Sequence, residues 1–124
     1  MIAGLHHVRV AGPPSCEAQA RGFYSDLLGL HEIEQPPAIA RRGGVWWALG
    51  DERQLHIGCD SDFLVGPKAH PAFEVEDQAT LDALADRLEA AGFEPLWDDD
   101  LPGARRFYVK DPFGNRLELL AWQR

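Results

Sequence analysis

Two stretches, LHHVRV at residues 5–10 and AHPAFEV at 69–75, each set a histidine ahead of alternating apolar residues, and His7 and His70 lie 63 residues apart. In a chain of 124 residues, a feature that recurs half a chain later restricts the fold to two copies of one module. The intervening pattern agrees. Ala20, Phe23, Tyr24, Leu27 and Leu28 recur at three- and four-residue steps and predict a helix from Ser15 to Leu28, with Ser15 as its cap and Gly29 as its stop. Leu81, Leu84, Ala85 and Leu88 predict a second helix from Asp77 to Ala91, capped by Asp77 and stopped by Gly92. His7 to Gly29 and His70 to Gly92 are both spans of 22 residues.

Three strand-like runs follow each stop glycine: HEIE, GVWWAL and QLHIG, then FEPLW, RRFYV and NRLELL. The turns LGDE and DPFGN separate the last two runs of each half, with Gly50 and Gly114 suited to positive φ. The expected fold is therefore α+β, built of two βαβββ modules: residues 1–58, a linker at 59–68, and residues 69–124, all within one domain.

Strand alternation sorts the polar residues. Val8 and Val10 share a helix-facing side with His6, whereas His7 and Arg9 face the other way; Phe73 and Val75 oppose His70, Ala72 and Glu74. Leu55 and Ile57 oppose Gln54 and His56, and Leu117 and Leu119 oppose Arg116 and Glu118. If each sheet curls with its helix outside, paired sheets enclose a cavity lined by His7, Arg9, Gln54, His56, His70 and Glu118. These are nitrogen and oxygen donors suited to divalent zinc, nickel, cobalt, manganese or iron.

The other expectations follow from composition. Twelve basic residues against 20 acidic ones leave a net charge of -8, which argues against a nucleic-acid partner. No run approaches the roughly 20 apolar residues of a membrane span. MIAGLHH has neither the basic stretch nor the apolar run of a secretory leader, so a cytoplasmic location is expected. Cys16 and Cys59, without CxxC spacing, are then expected to be free thiols.

LHHVRV, FYSDLLGL, AHPAFEV and above all DPFGNRLELL resemble the vicinal oxygen chelate superfamily of glyoxalase I, methylmalonyl-CoA epimerase, fosfomycin-resistance transferases, bleomycin-resistance proteins and extradiol dioxygenases. The resemblance spans essentially the whole chain. It implies one metal site from the first and last strands of both modules, with His7, His70 and Glu118 as ligands. The fourth is open: counting four residues from the turn glycines, and resemblance to the epimerases, favour Gln54, whereas imidazole chemistry favours His56, the residue preferred here. The resemblance also implies a small-molecule substrate and often a homodimer, so that the site lies within one chain or is shared between two.

The leading functional expectation is a metal-dependent lyase or isomerase acting on a small substrate with vicinal oxygens. The ion stabilises an enolate-like oxyanion, and Glu118 binds metal and acts as base. Arg9, Gln54 and Tyr108 are the expected substrate contacts, with Arg105 and Arg106 weaker candidates. The alternative is a non-catalytic binding protein of the bleomycin-resistance kind, with Trp46, Trp47, Trp97 and Trp122 as stacking surfaces. An extradiol-type dioxygenase stands third.

Overall fold

The computed structural model describes residues 1–123 and divides into two compact units, Met1–Val65 and Gly66 onward. In the first, β1 (His7–Gly12) leads into α1 (Glu17–Arg21), which continues as a π-helical segment (Gly22–Leu27). β2 (Glu32–Ile33), a short α2 (Pro37–Ala40), β3 (Val45–Leu49) and β4 (Arg53–Cys59) follow. In the second unit, β5 (Ala72–Glu74) leads into α3 (Gln78–Ala90), then β6 (Leu96–Asp98), β7 (Ala104–Lys110) and β8 (Arg116–Trp122). No helix among the described residues is long and apolar enough to cross a membrane.

Each unit holds one four-stranded mixed sheet, ordered β1-β4-β3-β2 in the first and β5-β8-β7-β6 in the second. The first strand pairs in parallel with the last, and the other pairings are antiparallel. The α+β, twice-βαβββ architecture expected from the sequence is thus present. Parallel pairing requires a crossover, and the helix after each first strand opens it.

The buried rows follow the alternation. Leu55 and Ile57 of β4 and Leu117, Leu119 and Ala121 of β8 are buried, as are Ala20, Phe23 and Tyr24 on the first helix and Leu81, Ala85 and Leu88 on α3. Trp47 is wholly buried against Tyr24, ring centroids 4.9 Å apart, and its Nε1 donates to Ser25 Oγ at 2.8 Å. Asp77 caps α3 by accepting from the Thr80 amide at 2.7 Å. Gly50 and Gly114 have φ of 61° and 92°, as their turns require.

Three expectations need correction. Ser15 does not cap the first helix: it has φ of 62°, and Cys16 stands at the cap position without a side-chain cap bond. His70 lies two residues ahead of β5, because Pro71 has no amide hydrogen to give to a ladder. Cys16 and Cys59 are joined in a disulfide: the fold sets the start of α1 beside the end of β4, with Cα atoms 5.7 Å apart, inside the usual bonding range.

Truncating the β8 core row tests this packing. Leu117→Ala is expected to lower stability by about 2–5 kcal/mol in urea unfolding, against about 1 kcal/mol for Asp77→Ala, which removes only the α3 cap.

Candidate functional site

In the second unit the donors meet. His70 Nδ1 donates to the Lys68 carbonyl at 2.7 Å, since a carbonyl can only accept. That bond fixes the tautomer, and Nε2 faces Glu118 Oε1 at 3.0 Å. A ring nitrogen and a carboxylate oxygen this close need a proton or another cation between them. The other carboxylate oxygen, Oε2, accepts from Arg106 Nη1 at 3.2 Å.

Arg106 is itself held by Asp98 Oδ1, through Nε at 3.1 Å and Nη2 at 2.9 Å. The Asp100 amide and Arg106 together hold the Asp98 carboxyl below the ordinary carboxylate range. Glu118 is only 4% exposed on β8. Tyr108, opposite Glu118 on β7, sets its ring edge-on to His70 at 5.3 Å and carries the Arg116 guanidinium 4.1 Å above its face. Arg106, a weaker candidate in the sequence, is thus more closely engaged with Glu118 than any stronger one except His70. Its outward alternation on a strand opposite β8 was the signal available.

The first unit presents a column of rings. Trp46 and His56 stack in parallel with centroids 3.9 Å apart, and His7 covers the opposite face of His56 at 4.2 Å. Gln54 Oε1 accepts from His56 Nε2 at 2.8 Å, which leaves Nδ1 as the nitrogen with a lone pair. His6, expected on the helix-facing side, is instead exposed ahead of β1, and its Nδ1 lies 3.0 Å from His7 Nδ1. Burial, and then the proximity of His7, His6 and Arg9, push the His56 pKa from 6.5 to about 4, so its imidazole is neutral at physiological pH.

Arg9 is committed elsewhere. It grips Asp60 with both terminal nitrogens, at 2.9 and 2.8 Å, and lies across Gly58, where a methyl group would collide with its guanidinium. An anionic substrate group would have to share Arg9 with Asp60.

Strand register bears on the choice between His56 and Gln54. Glu118 pairs with Ala72, two residues beyond His70, and His56 pairs with Arg9, two residues beyond His7. Gln54 pairs with His7 itself. Counting from the turn glycines misaligns the modules because Gly50 stands one residue before the midpoint of its hairpin, Asp51, whereas Gly114 stands one residue after the midpoint of the other, Phe113.

The Glyoxalase/Bleomycin resistance protein/Dioxygenase superfamily model matches residues 5–119. The chain belongs to this superfamily. A Bacillus anthracis protein assigned to the glyoxalase family has 40% identity and a TM-score of 0.89, the match covering 98% of this chain and 97% of that one. Two more distant structures share the fold at 20% identity. A genomically encoded fosfomycin resistance protein from Listeria monocytogenes has a TM-score of 0.76, with 98% and 94% of the two chains covered. A lactoylglutathione lyase from Agrobacterium tumefaciens has a TM-score of 0.71, with 97% and 94% covered. No curated protein matches the chain.

The neutral His56 carries a stability consequence. Between pH 6.5 and about 4 the unfolded chain binds a proton at His56 that the folded chain refuses, so stability falls as pH drops through that window. In metal-free protein the loss is expected to be on the order of 1–3 kcal/mol. His56→Gln should flatten that part of the pH profile of urea midpoints.

Proposed function

We propose that this superfamily member is a metal-dependent lyase or isomerase of the glyoxalase type, acting on a small substrate with two neighbouring oxygens. In this reading the metal ligands are His70 with Glu118 in the second unit, and His7 with His56 in the first. The supporting observation is the His70–Glu118 pair: a nitrogen and an oxygen donor 3.0 Å apart, each held from behind, His70 by the Lys68 carbonyl and Glu118 by Arg106. Metal-binding imidazoles usually donate their second nitrogen in this way. Imidazole and carboxylate suit zinc, nickel, cobalt, manganese or iron alike. The neutral state of His56 and its register equivalence to Glu118 favour it over Gln54, whose amide oxygen orients the His56 ring instead.

When bound, a divalent ion supplies Lewis-acid stabilisation of the oxyanion formed as a proton leaves the substrate. The chain's own groups do the rest. Lys68 keeps His70 in the Nδ1–H tautomer, and Arg106 holds Glu118 Oε2, so that Oε1 is the oxygen that would ligate the ion and, when released from it, accept the proton. Tyr108 borders the pair and contacts the substrate. A homodimer in solution belongs to the same reading, to be checked by sedimentation equilibrium.

The binding-only alternative gains no support from the tryptophans. Trp46 stacks on His56, Trp47 is buried, Trp97 lies under Arg105 at 4.1 Å, and Trp122 Nε1 donates to Glu74 at 2.8 Å.

Protein purified without chelators or reductants should contain bound divalent metal by elemental analysis. Glu118→Gln and His70→Ala should weaken binding more than tenfold and abolish turnover; Gln54→Ala should weaken it less than His56→Ala. Metal-free wild-type protein, or a Glu118→Gln variant that binds as well as wild type, would refute the reading.

A further inference from the structure

A second set of donors lies away from these histidines. Cys16 immediately precedes α1, Glu17 is its first residue, and Cys59 ends β4, where it pairs with Gly12. The two sulfurs are bonded, and a Glu17 carboxylate oxygen lies within 4.8 Å of both. Among the described residues, this is the group of three His, Cys, Asp or Glu side chains whose donor atoms gather so closely. Cys16 is 2% exposed, while Glu17 and Cys59 are half-buried, so one side of the cluster opens to solvent.

Glu17 is held in place. Its Oε2 accepts from the Gly44 amide at 3.2 Å. A methyl group on Gly43 would stand 2.9 Å from the same oxygen, and Gly43 and Gly44 have φ of 79° and 86°, so the glycine backbone wraps closely around the carboxylate. That bond uses one oxygen and leaves Oε1 as a further donor.

We propose that in the reduced chain Cys16, Cys59 and Glu17 form a binding site for a soft divalent ion of the zinc or cadmium kind. Two thiolates and a carboxylate are ligands such ions accept, and water completes a four-coordinate shell. The cluster has two exclusive states. In the oxidised state both sulfurs are spent in the S–S bond. A thiol or phosphine reductant breaks that bond by supplying two electrons, two protons are taken up, two thiols form, and the reductant is oxidised. Metal binding then displaces both thiol protons to solvent. The site uses none of the residues assigned to the proposed reaction.

The test compares oxidised protein with protein reduced by a phosphine and freed of it under anaerobic conditions, each titrated with Co²⁺ and Zn²⁺. Reduced protein is expected to bind one more equivalent than oxidised protein. Its Co²⁺ form should show a near-ultraviolet sulfur-to-metal charge-transfer band, which nitrogen and oxygen ligands alone do not give. Glu17→Gln should weaken the added site about tenfold or more while leaving the charge-transfer band at saturation. Equal stoichiometry in the two redox states without the band would overturn the site, and wild-type affinity in Glu17→Gln would overturn the role of Glu17. Because the first comparison needs no variant, a cysteine substitution that fails to fold does not compromise it. The sulfur band also separates this outcome from loss of metal at the histidines.

Discussion

Each unit depends on the parallel pairing of its first strand with its last. Because the two strands run the same way, no tight turn can join them; the chain must leave, form a helix, add two strands and return. The return buries Leu55 and Ile57 in one unit and Leu117 and Leu119 in the other. It also brings His7 beside Gln54, Arg9 beside His56, and Ala72 beside Glu118, although these partners are 46 or 47 residues apart in sequence. A slip of one residue in either pairing would turn His56 or Glu118 toward the helix and an apolar neighbour to the opposite face, so packing of the apolar row against the helix fixes which face the donors occupy.

Much of this was legible because it rests on local rules. Helical periodicity located α3, Asp77 and Gly92 marked its ends, and period-two alternation put Glu118 opposite Leu117 and Leu119. What was hidden depends on comparisons across the sheet. The turn glycines suggested that Gln54 matches Glu118, but Gly50 and Gly114 lie on opposite sides of their hairpin midpoints, which moves the match by two residues to His56, a shift that preserves alternation and so leaves no trace in the pattern. The Cys16–Cys59 bond was invisible for a similar reason. Neither residue has a motif, and only the packing of α1 against the end of the sheet brings them together. Arg9 looked like an anion receptor because nothing in the sequence shows that Asp60 reaches back to it.

The groups behind the donors explain why the donors are usable. A histidine with both nitrogens free could rotate, and a carboxylate with both oxygens free could turn away. The Lys68 carbonyl and Arg106 remove these freedoms at His70 and Glu118, and Trp46, His7 and Gln54 remove them at His56. Burial keeps His56 neutral, so a metal need not displace a proton from it at physiological pH. Such supporting contacts set affinity nearly as strongly as the ligands themselves.

The most direct test of the account is a crystal structure of the oxidised protein grown with Co²⁺ or Zn²⁺, with anomalous scattering collected at the metal edge. An anomalous peak is expected bonded at about 2 Å to both His70 Nε2 and Glu118 Oε1, with Arg106 still on Oε2. Metal found only on other side chains, with His70 and Glu118 still in direct contact, would contradict it.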